Sequence, residues 1–377
     1  MKVLIFSTAY FPHVGGAEVA VKEITNRISD VSFDMITVRL NKEDAKQEKI
    51  GNINVHRIGW GLGRADKLLF PFRAVSLARK LHKKEKYDII WSIMASFSGF
   101  AALFFKKKHP KVKFLLTLQE GDDLKEVERK INYPVIKKWF KEIFIKADYV
   151  QCISNYLAEW AKKMGVSCPV EVVPNGTNLQ FPMTNDHSIS NDQFLNSKVI
   201  LTTSRLVEKN GIQDLIKAVI ELPVKLIICG DGELESELKQ LAKDLKIEDK
   251  VKFTGFIEPK ELEKYYAVAD VFCRPSLTEG LGNSFLEAMA YNVPVVATPV
   301  GGIPDFLKDG KTGWFCKVKG PESIAEKIKY ILDEKNKEEV EQVVDNAKQM
   351  VLEKYNWKKI AVQINNIFSA LGGSASG

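Results

Sequence analysis

The run Pro275-Ser276-Leu277-Thr278-Glu279-Gly280-Leu281-Gly282-Asn283-Ser284-Phe285-Leu286-Glu287 follows an apolar, strand-like segment and leads into a helix-like one. A strand passing into a helix through a glycine-bearing loop is the repeating unit of α/β architecture. Glu279 falls in the loop, and Glu287 lies roughly two helical turns further on. The intervening glycines allow a ligand close to the backbone. Amides at the opening of a helix favour an anionic group. Two carboxylates bracketing an anion site can grip hydroxyl-bearing groups on either side of a diphosphate, which is the form of a nucleotide sugar. The competing reading makes Glu279 a helix cap and Glu287 a solvated charge, and both stand at this point.

The same alternation extends in both directions. After this run, predicted strands at 295–298 and 314–317 and a helical pattern at 321–334 follow, with two closing helices at 337–354 and 357–371. Before it lie predicted strands at 199–204, 225–229, 251–254 and 271–274, with helices at 211–221, 233–245 and 259–269. The first half repeats the pattern, with strands at 2–7, 33–38, 55–58, 89–93, 114–118, 149–153 and 170–173. Ala17, Ala20, Val21, Ile24 and Ile28 give its first helix one apolar face. Alternation of this kind predicts parallel sheets. Pro174-Asn175-Gly176 is a turn signal, and the stretch 179–197 is rich in Asn, Asp and Ser and reads as a linker. The expected domains are therefore 1–178 together with a returning helix 355–371, and 198–354, with 372–377 a flexible tail.

Composition supports an ordinary folded chain. With 377 residues, 45% apolar and 27% charged, disorder, collagen-like repeats and a coiled coil are excluded. The net charge of +7 is unevenly spread. Residues 1–178 hold 30 Lys and Arg against 19 Asp and Glu, a net +11, while the remainder holds 25 against 29, a net −4. Five cysteines without a Cys-x-x-Cys pair read as reduced thiols of a cytoplasmic protein, and five histidines lack ligand spacing, so no metal site is expected. Residues 89–105 are uncharged for 17 positions, but serines and a glycine interrupt them. They read as a strand, a turn and a short helix rather than a membrane span.

Further loops after strands carry polar residues. Ser204-Arg205-Leu206-Val207-Glu208-Lys209-Asn210-Gly211 sets two cations where they can neutralise a leaving diphosphate. Gly15-Gly16 offers backbone amides to a phosphate. Gly230-Asp231-Gly232 makes a tight strand-to-helix turn, yet it lacks the third glycine of a dinucleotide fingerprint. Thr117-Leu118-Gln119-Glu120-Gly121-Asp122-Asp123 is an acidic loop suited to orienting a sugar, or simply a polar loop.

These residues together resemble retaining glycosyltransferases of family 4, which have the GT-B fold: two Rossmann-like domains facing a central cleft, with the C-terminal helix crossing back to the N-terminal domain. The resemblance runs from Lys2 to about Phe368 and rests on the Glu279–Glu287 pair, Gly15-Gly16, Ile153-Ser154-Asn155, Val173-Pro174-Asn175-Gly176, Arg205-Leu206, Gly230-Asp231-Gly232, Pro294-Val295-Val296-Ala297 and Gly301-Gly302. It implies that Glu279 holds donor-sugar hydroxyls, Glu287 the ribose hydroxyls, and Arg205 and Lys209 the diphosphate. It further implies that Gly15 and Gly16 approach the phosphate and that Gly230 lines the nucleotide pocket. Gly280, Leu281, Gly282 and Asn283 would complete the sugar and phosphate site, with Ile257 near the base. Two positions depart from the family pattern. Gln119 stands where many members have histidine, and Asn210 separates Lys209 from the glycine. Gln can hydrogen-bond a hydroxyl but cannot act as a base.

The implied reaction is retaining transfer from a UDP- or GDP-sugar to a glycan or lipid-linked acceptor, in cell-surface polysaccharide or glycolipid synthesis. The departing phosphate can take the acceptor's proton, so no cofactor or metal is required. Rival readings are a sugar-nucleotide epimerase or phosphorylase on the same fold, and a nucleotide-sugar-binding module without turnover. The basic first half suggests peripheral contact with an anionic membrane on its cytoplasmic face. A helix carrying Val135, Ile136, Trp139, Phe140, Ile143 and Phe144 beside Lys137, Lys138 and Lys141 is the expected contact. No nucleic-acid-binding module is recognised.

Overall fold

The computed structural model describes residues 1–131, 133–177 and 197–372. It divides into two compact units, Met1–Asn175 with Trp357–Gly377, and Gly176–Asn356. The linker expected at 179–197 lies outside the described residues except for Ser197, as does the tail expected at 372–377 beyond Gly372.

The first unit is built on β1 (Lys2–Phe6), β2 (Ser32–Val38), β3 (Gln47–Ile50), β4 (Ile53–Ile58), β5 (Ile89–Ile93), β6 (Lys113–Leu118), β7 (Tyr149–Cys152) and β8 (Val170–Val172). Their order in the sheet is β3-β4-β2-β1-β5-β6-β7-β8. All neighbours are parallel except β3 with β4. β5 is buried at every position, which is why it reads as an apolar run interrupted only by Ser92. The uncharged stretch at 89–105 resolves into β5 and the helix Phe97–Lys108. No helix among the described residues is long and apolar enough to cross a membrane.

The helix Trp357–Gly372 belongs to this unit. Its buried residues Trp357, Ile360, Ala361, Ile364, Ile367, Phe368 and Leu371 follow helical spacing. Phe368 packs 5.9 Å from Phe33 and 5.3 Å from Trp91, ring centre to ring centre, and so ties the C-terminal helix to two central strands.

The second unit carries β9 (Lys198–Thr203), β10 (Val224–Cys229), β11 (Val251–Gly255), β12 (Val271–Arg274), β13 (Val295–Ala297) and β14 (Trp314–Phe315). The sheet order is β11-β10-β9-β12-β13-β14, all parallel. Parallel strands place all carboxyl ends on one edge, where α/β proteins hold ligands.

Several sequence expectations need correction. The helix expected at 259–269 is a 3₁₀ turn, Pro259–Glu261, and a short helix, Glu263–Ala267. The strand expected at 314–317 pairs only at Trp314–Phe315. The helix Arg64–Glu85 and strand β3 were not expected at all. The amphipathic helix exists as Pro134–Lys146, but it buries Phe140, Ile143 and Phe144 within the unit. Those three residues serve the core, while Val135 is exposed and Ile136 and Trp139 are half-buried. Aromatic packing explains this: Phe144 and Phe140 lie 5.2 and 6.1 Å from the Trp160 ring.

Candidate active site

The second unit stitches its strand-end loops together through backbone hydrogen bonds. Ser204 N donates to Cys229 O at 3.0 Å, Leu206 N to Asp231 O at 2.7 Å, Leu277 N to Lys209 O at 2.7 Å and Gly302 N to Glu279 O at 3.0 Å. The loops after β9, β10, β12 and β13 thus form one rim. Glycines make the approaches possible. A Cβ on Gly230 (φ +138°) would sit 1.9 Å from Ser204 O, and one on Gly301 (φ +56°) would sit 1.8 Å from Glu279 O. Both conformations are ones side-chain-bearing residues rarely adopt.

Arg274, the last residue of β12, organises the loop beneath the quoted run. Its buried guanidinium donates to Ser276 Oγ at 3.2 Å, to Ser284 Oγ at 2.9 Å and to the Glu279 carboxylate. It also lies 4.4 Å over the Phe285 ring. The second Glu279 oxygen accepts from Gly280 N at 3.0 Å. Glu279 is therefore held by a cation and an amide in a half-buried setting, and in the same loop Gly282 is half-buried and Leu281 buried. Asn283 begins the helix Asn283–Ala290, which no side chain caps.

Glu287 is not a solvated surface charge. It is half-buried and accepts from Tyr266 Oη at 2.9 Å, while that hydroxyl lies 3.1 Å from Thr203 Oγ1. Burial pushes its carboxyl above the ordinary range, against the Tyr266 hydrogen bond and the Arg274 charge, which favour ionisation. Ser284 touches both carboxylate systems, through its Oγ to Arg274 and its carbonyl 3.5 Å from Tyr266 Oη. Arg205 is exposed on the rim, with its carbonyl accepting from Asn210 Nδ2 at 2.6 Å. Lys209 is half-buried, as is Ile257, beside the exposed Phe256 after β11. Sequence reasoning missed Arg274 and Tyr266. The only signal for Arg274 was a cation closing an otherwise apolar strand directly before Pro275.

The remaining predicted residues, Gly15, Gly16 and Gln119, belong to the first unit. Gly15 N donates to Glu18 Oε2 at 2.7 Å at the start of the helix Gly16–Thr25, so the carboxylate occupies one amide expected to face a phosphate. Gln119 is buried and its Oε1 accepts from Asn175 Nδ2 at 3.0 Å, which joins two loops of the family resemblance. Beside it, Glu120 is buried at the end of β6. One carboxylate oxygen accepts from Ala95 N at 2.6 Å, and the other has no hydrogen-bond partner among the described residues.

Burial raises the Glu120 carboxyl from 4.5 to about 7, opposed by backbone amides and aided by Asp122. The folded protein thus holds this proton more tightly than the unfolded chain. Its contribution to stability is complete below pH 4.5 and is lost as pH rises to about 7. Glu120→Gln removes that loss. Its stability relative to the parent is expected to improve between pH 5 and pH 8 by up to about 3 kcal/mol. Denaturant melts at the two pH values check this, and parallel profiles would refute the assignment.

Comparison with known proteins places the chain in context. Residues 184–350 match the family model described as Glycosyl transferases group 1, and residues 14–181 the one described as Glycosyltransferase Family 4. The amylovoran biosynthesis glycosyltransferase AmsK of Erwinia amylovora is 30% identical over 75% of this chain and 69% of its own length. Among solved structures, sucrose-phosphate synthase from Thermosynechococcus elongatus superposes with a TM-score of 0.86 at 21% identity, covering 99% of this chain and all of that one. Anabaena HepE in complex with UDP and glucose gives 0.78 at 20% identity, covering 98% of this chain and all of that one.

Proposed function

The chain belongs to the family 4 glycosyltransferases and has their GT-B fold, and we propose that it is a retaining enzyme that moves a sugar from a UDP- or GDP-sugar to a glycan or lipid-linked acceptor. The observation that carries this reading is the pair of anchored carboxylates, one in the glycine loop and one within the helix that follows it. Glu279 is fixed by Arg274 and Glu287 by Tyr266. Held carboxylates can accept hydroxyl hydrogen bonds without reorganising, which is how an active site selects a polyhydroxylated donor. In this reading Glu279 binds the donor sugar and Glu287 the ribose. Arg205 and Lys209 receive the diphosphate, aided by the amides from Gly280 to Asn283, with Ile257 near the base and Gly230 lining the pocket. HepE, whose structure holds UDP and glucose, supports a donor of this class. AmsK, which by name serves amylovoran biosynthesis, supports a glycan product.

Retention fits a same-face displacement. The bond from the anomeric carbon to the diphosphate oxygen breaks, the acceptor oxygen bonds to that carbon, and the acceptor proton passes to the departing phosphate. A glycosidase-like route would need a free carboxylate nucleophile. Both oxygens of Glu279 are already engaged, by Arg274 and by Gly280 N, which favours the direct route.

A screen of UDP- and GDP-sugars tests the proposal. The correct donor at a hundredfold excess over its Kd is expected to raise stability by about 2.7 kcal/mol, read as a higher melting temperature. Adding acceptor should release the nucleotide with the anomeric configuration kept. A donor that binds without transfer would identify a binding module. Acceptor-independent epimerisation or phosphate-dependent release would identify one of the rival activities, and inverted product would overturn the mechanism.

A further inference from the structure

The helix Arg64–Glu85 and the loop before it expose large apolar side chains instead of burying them. Leu68 is 64% exposed, Phe72 61% and Trp60 58%, with Leu62 and Leu69 beside them. This exposure is built rather than accidental. The buried Asp66 carboxylate accepts from Trp60 N at 2.9 Å, Leu62 N at 2.8 Å and Arg73 Nη1 at 3.0 Å, which clamps the loop to the helix. The Arg73 guanidinium lies 3.3 Å over the Trp60 ring and fixes the indole at the surface. Phe72 stacks on Phe104 at 5.7 Å, and Phe104 meets Trp139 edge-on at 5.1 Å, so the apolar surface continues onto two neighbouring helices.

Charge identifies the occupant. Residues 64–113 contain 13 Lys and Arg against 3 Asp and Glu, a net +10. Some of these charges are paired: Asp66 with Arg73, Glu85 with Lys2, Lys106 with Asp148 and Lys107 with Glu142. Exposed leucine and aromatic side chains followed along the same helix by the exposed Arg79, Lys80, Lys83 and Lys84 match the interface of an anionic bilayer, where apolar groups enter the headgroup boundary and cations remain among phosphates. A second copy of this chain docked on the same face would set these exposed cations against one another, which disfavours self-association.

We propose that this face, centred on Leu68 and Phe72, docks the protein on an anionic lipid bilayer. The inference builds on the reading of a lipid-linked acceptor, and it shifts the centre of the contact expected of the helix Pro134–Lys146 to the helix Arg64–Glu85 and its preceding loop. The test is co-sedimentation with vesicles, without donor or acceptor. The protein is expected to pellet with phosphatidylcholine–phosphatidylglycerol vesicles at low salt and to stay in solution with phosphatidylcholine alone. Leu68→Ser with Phe72→Ser is expected to cut the bound fraction ~tenfold with the melting temperature unchanged, since both side chains are exposed. A parent protein that ignores the anionic vesicles, or a double variant that pellets like the parent, would overturn the proposal. So would a lipid-free dimer that the double substitution dissociates, because the face would then belong to a second copy. Transfer to a water-soluble acceptor, measured in the same variant, reports separately on the enzymatic reading.

Discussion

Arg205→Ala is expected to lower sugar transfer by on the order of 10²–10³-fold, with the melting temperature unchanged. The side chain is exposed on the rim and is not part of the core, so its loss removes charge without opening a cavity. The loop that carries it is held by backbone contacts that survive the substitution, among them Leu206 N to Asp231 O at 2.7 Å. Negative charge grows on the diphosphate as its bond to the sugar breaks. A cation placed there therefore acts more on the transition state than on bound donor, and kcat should fall further than KM rises. Arg205→Lys should recover part of the rate, because the charge stays while the planar fork is lost. Glu279→Gln provides the contrast. It removes the charge partner of the buried Arg274, and breaking such a pair costs about 3–5 kcal/mol, so activity and stability should fall together. Steady-state kinetics beside thermal melts separates the two cases. An unchanged kcat in Arg205→Ala would remove Arg205 from the site.

The sheets were legible because parallel strands covered on both faces are buried at every position and read as apolar runs, as β5 and β12 do apart from Ser92 and Arg274. β3 was not, because it is an antiparallel edge strand, Gln47–Ile50, with three exposed residues and no apolar alternation. The helix Arg64–Glu85 escaped for a different reason. Its exposed Leu68, Leu69 and Phe72 blur the period that marks a buried face, and Pro71 lies within it. The candidate site was half legible. Glu279 and Glu287 declare themselves by spacing across a glycine loop. The groups that hold them do not, because a tyrosine 21 positions from Glu287 and an arginine within a strand gain meaning only from the fold. Glu120 shows the same limit: its acidic loop was visible, but its burial comes from packing against the end of β5.

Gly301→Ala is expected to be the most damaging small substitution in the second unit. The new Cβ would lie 1.8 Å from Glu279 O, 2.8 Å from Glu279 C and 3.1 Å from Glu279 N, all backbone atoms with no rotamer to yield. Relief requires the loop after β13 or the loop carrying Glu279 to move, and it breaks the 3.0 Å bond from Gly302 N to Glu279 O. The positive φ of +56° adds strain of its own for alanine. Gly310→Ala isolates that second cost. Its φ is +67°, yet nothing lies within 4 Å of the added carbon. A left-handed alanine alone costs about 1–2 kcal/mol, whereas clash and strain together should reach ~4 kcal/mol. With about 2–4 °C lost per kcal/mol in a domain of this size, Gly301→Ala should melt far below Gly310→Ala. Its transfer rate should also fall at temperatures where it remains folded, because the displaced carbonyl belongs to the residue assigned to the donor sugar. Equal melting losses in the two variants would show that the approach of Gly301 to Glu279 does not hold the rim together.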